Sequence, residues 1–144
     1  MKVIIINGPN LNLVGEREPG IYGSVGPEKF LENLKKHYPD IEIIFRQSNI
    51  EGELVGFIQE FRTGCDGMII NAGAYTHTSI AIADAIKMVE VPVIEVHLSQ
   101  IFSRETFRHV SYISPNCRGV ISGFGWSGYE MALLSLTRKL LTDS

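Results

Sequence analysis

Two kinds of side chain in this sequence are suited to moving protons, and they sit in different places. Arg17 and Tyr22 share the stretch NGPNLNLVGEREPGIYG, residues 7–23. A phenol titrates near ~10 and is a poor base at neutral pH, but a guanidinium held beside it favours the phenolate. Such a pair could serve as a base at neutral pH. A plainer arrangement stays open, in which Arg17 pairs with Glu16 or Glu18 in solvent and Tyr22 packs on the domain. His97 closes the run VPVIEVH, where it reads equally as a hydrogen-bonded structural residue or, with Glu95 and Ser99 close by, as a general acid. His77, between Thr76 and Thr78 at a helix start, can donate to a ligand oxygen. His37 and His109 are expected on the surface.

These groups need a frame. Short, continuous, β-branched runs fall at Val3–Ile6, Ile41–Phe45, Met68–Ile70, Val93–Val96 and Val120–Ile121, the pattern of strands buried on both faces of a parallel sheet. Between them lie amphipathic stretches. Pro27–His37 turns Phe30, Leu31 and Leu34 to one face; Glu53–Arg62 does so with Leu54, Phe57, Ile58 and Phe61. Ser79–Met88 carries Ile82, Ala83 and Ile86 inward, Glu105–Val110 is a short fourth helix, and Tyr129–Leu141 closes the chain. Alternating strand and helix predicts an α/β three-layer sandwich. Five parallel strands point to the flavodoxin-like order 2-1-3-4-5, in one domain spanning residues 1–144. In that order ligands bind beyond the carboxyl ends of the strands, near the switch point. Those ends carry Asn7, Gly8 and Asn10, then Gln47, Ser48 and Asn49, then Asn71–Thr78, and then His97, Leu98 and Ser99. The lining is neutral amides, hydroxyls and histidines, with no acidic cluster for a metal. It suits a polyhydroxylated organic substrate.

Composition narrows the class. The chain has 144 residues, 44% of them hydrophobic and 20% charged, with a net charge of -3, as in ordinary globular proteins. The absence of a basic block argues against nucleic acid as a partner. No stretch is long and apolar enough for a membrane span, and no signal peptide is expected, which leads to a cytoplasmic assignment. Cys65 and Cys117 are isolated and read as free thiols.

Other motifs have simpler explanations. Gly123–Gly128 matches G-x-G-x-x-G, yet it follows the last strand, where the dinucleotide fingerprint belongs to the first; a tight strand-to-helix turn accounts for it. His77, Ser79 and Asp84 resemble a hydrolytic triad, but Ser79 is placed to cap a helix. A receiver domain would need acidic residues where this chain has Asn7 and Asn71. No lysine falls at a strand's carboxyl end, so an imine route is not expected.

The segments NGPNLNLVGEREPGIYG, RQSNIEGEL, INAGAYTHTS, EVHLS and GFGWSGYEMAL together resemble type II 3-dehydroquinate dehydratase, in order and over nearly the whole chain. The resemblance implies a hydro-lyase that converts 3-dehydroquinate to 3-dehydroshikimate through an enolate, the third step of the shikimate pathway, with no cofactor. It implies Tyr22 as general base beside Arg17, Asn10 with an ordered water at the enolate oxygen, and His97 as general acid. Asn71, His77, Arg108, Leu98 and Ser99 would hold the ring hydroxyls and carboxylate. Asp84 would come from a neighbouring subunit, in trimers assembled into a dodecamer. Ala72, Gln100, Phe102 and Ile50 depart from the common pattern, at positions given no catalytic role. The competing expectation is a non-catalytic module that binds a cyclic polyol-carboxylate.

Overall fold

A computed structural model describes residues 1–16 and 25–137. The strands are β1 (Lys2–Asn7), β2 (Glu42–Gln47), β3 (Gly67–Asn71), β4 (Val93–His97) and β5 (Gly119–Ser122). They form a single parallel sheet in the order β2-β1-β3-β4-β5. The fold is α/β and flavodoxin-like, as the alternation of apolar runs predicts. Each strand extends past its apolar run into polar residues such as Asn7, Asn71 and His97. Main-chain pairing continues past the apolar run, and Asn7, Asn71 and His97 stay buried with it.

The helices are α1 (Pro27–His37), α2 (Glu51–Glu60), α3 (Ile80–Lys87) and α4 (Ser127–Leu136). β1 shows how they layer. Val3 and Ile5 enter a core with Leu34 of α1 and Tyr129, Leu133 and Leu136 of α4. Ile4 and Ile6 enter another with Leu54 and Ile58 of α2 and Ile82 and Ile86 of α3. Alternate residues of one strand thus feed opposite cores, which is why the strands read as unbroken apolar runs. Ser79 caps α3, its hydroxyl accepting from the Ile82 N–H at 2.9 Å.

The expected helix over Glu105–Val110 is not α-helical. The connection from β4 to β5 is made of 3-10 turns at Ile101–Ser103, Thr106–His109 and Ser114–Asn116. Side chains compete here for the backbone groups a helix would use. Ser103 donates to the Gln100 carbonyl at 2.8 Å, and the Ser111 hydroxyl takes the N–H groups of Ile113 and Ser114. Elsewhere the boundaries shift by a residue or two. α2 begins at Glu51 and α4 at Ser127, and the end expected for the last helix, Leu141, lies outside the described residues.

Gly8 joins β1 to the site. Its N–H donates to the Asn71 carbonyl at 2.7 Å, and a Cβ there would lie 2.6 Å from the Ala72 carbonyl carbon. Only a residue without a side chain lets the chain leaving β1 cross so close to the end of β3. Gly8→Ala should therefore cost about 1–3 kcal/mol of stability through overpacking, measured by chemical denaturation. A variant as stable as the parent would contradict the close approach.

Candidate active site

The ends of β1, β3 and β4 leave a cavity of about 150 Å³ at the switch point between β1 and β3. Asn10, Asn71, His77, His97, Leu98, Ser99, Arg104 and Arg108 line it, with Pro9, Leu11, Leu13 and Val14 along its apolar side. Of the residues singled out by sequence, it gathers Asn10, Asn71, His77, His97, Leu98, Ser99 and Arg108. Arg17 and Tyr22 lie outside the described residues. Asp84 is exposed on α3 and does not line the cavity.

β4 delivers the most constrained group. His97 Nε2 lies 2.9 Å from Glu95 Oε2. A carboxylate at this position accepts, so Nε2 carries the hydrogen and Nδ1 is left as the ring's second proton site. Glu95 is 0% exposed, and its oxygens also accept from Ser111 Oγ at 2.8 Å and from Ser114 Oγ at 2.8 and 2.9 Å. Burial alone would raise its titration. The hydrogen bond and charge of His97 and the two serine hydroxyls outweigh burial and hold the carboxyl below its ordinary value. The result is a desolvated carboxylate fixed behind an imidazole.

His77 faces that ring, the two centroids 6.3 Å apart and nearly parallel. Its Nδ1 lies 2.8 Å from the Val110 carbonyl, so Nδ1 is the donor. Burial, with the charges of His97 and Arg108, lowers its titration and favours the neutral ring, despite opposing influences from the Val110 bond and Glu95. A neutral ring with hydrogen on Nδ1 offers Nε2 as an acceptor. The sequence suggests a donor here; the Val110 carbonyl reverses that role.

Asn71 is buried, its Oδ1 taking the Gly73 N–H at 3.2 Å and its Nδ2 donating to Tyr129 Oη at 3.0 Å. Asn10 is exposed and left-handed, with φ 68°, and its N–H donates to Asn49 Oδ1 at 3.0 Å. Among the described residues the Asn10 amide side chain has no hydrogen-bond partner, so it remains available to a ligand or a water. The end of β2 acts differently from the expectation. Gln47, Ser48 and Asn49 do not line the cavity; Gln47 Nε2 donates to the Gly8 carbonyl at 3.2 Å and buttresses the loop from behind.

Two guanidiniums close the far rim. Arg108 Nε donates to Glu105 Oε2 at 2.6 Å, and Arg104 Nη1 donates to Ser99 Oγ at 3.1 Å. Sequence reasoning missed Arg104, although its spacing of four from Arg108 beyond β4 is a readable sign of a basic rim for an anionic group. It also missed Tyr129, whose role depends on a contact between α4 and two strand ends. His109 is half-buried, its Nε2 against the Arg104 carbonyl at 3.0 Å, rather than on the surface. The Gly123–Gly128 stretch is a strand-to-helix turn: Gly123 has φ 97°, and the N–H of Gly125 donates to the Leu98 carbonyl at 2.9 Å. Burial and the charge of Glu95 push the Cys117 thiol up to about 12, which leaves it unreactive. Among the described residues no three His, Cys, Asp or Glu side chains converge to hold a metal, and no helix is long and apolar enough to cross a membrane.

Residues 1–137 match the model of the family described as dehydroquinase class II. A 3-dehydroquinate dehydratase of Nitratiruptor sp. is 52% identical over 139 residues, covering 94% of this chain and 88% of its own. That of Clostridium perfringens is 51% identical over 143 residues, covering 97% and 99%. Among solved structures, the type II dehydroquinase of Butyrivibrio crossotus superposes with a TM-score of 0.92 at 45% identity, covering 95% of this chain and 97% of that one.

Glu95 and His77 both titrate lower in the fold than when unfolded. Each then contributes stability that is complete above its ordinary value and is lost as pH falls through its folded value. For His77 that loss starts near ~6.5, and for Glu95 below ~4.3. Denaturation followed from neutral to acid pH should show stability falling in those two steps. His77→Gln should remove the first step and keep the second; an unchanged profile would argue against a depressed histidine.

Proposed function

The chain belongs to the class II dehydroquinase family, and from that premise we propose that it removes water from 3-dehydroquinate to give 3-dehydroshikimate, acting as a single catalytic domain. The observation that carries this reading is the buried His97–Glu95 pair at the wall of the switch-point cavity. A β-hydroxyl is a poor leaving group unless it is protonated as it departs. An imidazolium whose positive charge is offset by a fixed carboxylate is suited to deliver that proton from Nδ1. A module that only bound a ligand would gain little from a desolvated acid of this kind.

In the proposed sequence Tyr22, as phenolate beside Arg17, removes a proton from C2, next to the C3 carbonyl. The carbon–hydrogen pair becomes the carbon–carbon double bond of the enolate, and charge develops on the C3 oxygen. Asn10, through an ordered water, donates to that oxygen, where stabilisation is worth most. Collapse of the enolate expels the C1 hydroxyl, which takes the His97 proton and leaves as water. The phenol and the imidazole then return to their starting protonation states by exchange with solvent.

Recognition falls to the rest of the lining. Neutral His77 accepts from a ring hydroxyl through Nε2, and Asn71 donates to an oxygen through Nδ2. Leu98 and Ser99, with Arg108 at the rim, hold the carboxylate. None of these steps calls on a cofactor or metal. The substrate is a soluble metabolite of the shikimate pathway, consistent with a cytoplasmic enzyme.

Asp84 is proposed to act in a neighbour's site, within trimers that assemble into a dodecamer. Ile80 and Asp84 on α3 and Met88 just past its end recur every fourth residue, and all three are exposed, the two apolar ones at 66% and 69%. An apolar stripe carrying a carboxylate away from its own cavity fits a subunit contact.

Purified protein given 3-dehydroquinate should produce the ultraviolet absorbance of a conjugated enone, and borohydride should not abolish it. Inhibition by borohydride would instead indicate an imine. Tyr22→Phe should lower kcat by at least about 10³-fold, within the range for loss of an essential general base, while folding stays intact; near-parental turnover would remove Tyr22 from its role. Inactive Asp84→Ala and Tyr22→Phe subunits, unfolded together and reassembled, should regain part of the activity. Absence of recovery in verified mixed oligomers would count against a shared site.

A further inference from the structure

An asparagine amide has a donor end and an acceptor end, and which of them faces a cavity decides what it can hold. At Asn71 the choice is made by groups that the reaction itself does not use. The Gly73 N–H can only donate, and it meets Asn71 Oδ1 at 3.2 Å. Nδ2 therefore points the other way, 3.0 Å from Tyr129 Oη. That phenol spends its own hydrogen on Asn7 Oδ1, at 2.7 Å, so its oxygen is free to accept from Asn71. The hydrogen bonds run in one direction, from Asn71 to Tyr129 to Asn7. One Nδ2 hydrogen is used in the chain, and the other is left for the cavity that Asn71 lines.

The arrangement has little slack. Tyr129 is 0% exposed, its ring packed against the stacked pair of Phe30 and Trp126 at centroid distances of 5.5 and 5.6 Å. Flipping the Asn71 amide would bring Nδ2 against the Gly73 N–H, exchanging a buried hydrogen bond for a donor–donor contact. Asn7 and Asn71 are paired neighbours at the ends of β1 and β3, and Tyr129 reaches both from α4. The phenol thus ties the two sides of the switch point together and sets the polarity of one cavity wall.

We propose that Tyr129 is a positioning residue for substrate: through Asn71 it keeps an amide N–H, and not the carbonyl, directed at a substrate oxygen. The proposal rests on the dehydratase reading for the identity of that substrate, but not for the orientation of the amide. Tyr129→Phe keeps the ring and removes only the hydroxyl, so Asn71 Nδ2 loses its partner, the amide is held by the Gly73 N–H alone, and it rotates more freely.

The test is a cycle of Tyr129→Phe with Asn71→Ala, read by enone formation from 3-dehydroquinate. Alone, Y129F should raise KM about tenfold with kcat within about twofold, since a binding contact weakens while the acid and base are untouched. In the N71A background the same change should move KM by less than about twofold. An unchanged KM for Y129F, or an equal rise in both backgrounds, overturns the proposal. The orientation can also be read without any substrate and in the parent protein, should Y129F fail to fold. With asparagine side-chain ¹⁵N labelling, the Asn71 signal (identified by its loss in N71A) should show one slowly exchanging proton and one fast. Two fast protons overturn the proposal. Absence of turnover by a parent protein that shows the slow proton removes the dehydratase reading and leaves the amide's orientation standing.

Discussion

β1 has parallel partners on both sides, and its side chains are buried on both faces. This double burial is the constraint from which the rest follows. A strand so enclosed must pass its chain out at an end, and the connections on its two sides must diverge to cover opposite faces of the sheet. Between β1 and β3 the departing loops therefore separate, and the crevice they leave is where the cavity lies. Gly8 allows the first loop to leave across the end of β3 rather than away from it.

Enclosure also sets the chemistry. Groups at the ends of buried strands are partly desolvated, where an unpaired polar atom is expensive and a paired one is held firmly. Glu95 meets that demand with His97, Ser111 and Ser114. Asn7 and Asn71 meet it with Tyr129. In both cases the partner that satisfies the buried group also restrains a group on the cavity wall. Rigidity at the site is thus a by-product of satisfying the strand ends, and it comes from elements remote in sequence: the 3-10 turns before β5 for Glu95, and α4 for Asn71.

The cavity has a chemical gradient across it. The β1 loop contributes apolar side chains and the Asn10 amide, and the β3 and β4 ends contribute neutral imidazole, amide and a backed imidazole. The outer rim carries Arg104 and Arg108. A ring bearing hydroxyls and one carboxylate would meet acceptor, donor and cation in turn. This ordering distinguishes the site from a general apolar pocket.

Strand positions, sheet order and the polar residues at the strand ends were legible in the linear chain, because two-sided burial writes itself as short unbroken runs of β-branched residues. Ser79 as a cap and Gly123–Gly128 as a turn were legible too, since both depend on neighbours a few residues away. The segment 101–116 was not. There side-chain oxygens of Gln100, Ser103 and Ser111 compete with the backbone, and a propensity reading sees only a weak helix. Nor could sequence decide which end of Asn71 faces the cavity, which nitrogen of His77 is free, or whether Gln47 lines the site or supports it. Each of these turns on a hydrogen-bond partner far along the chain: Tyr129, the Val110 carbonyl and the Gly8 carbonyl. The sequence by itself determined the frame and the residue types brought to its crevice, because burial periodicity is local information. The tertiary structure alone decided their orientation and protonation, because those are set by contacts that exist only once the distant elements have met.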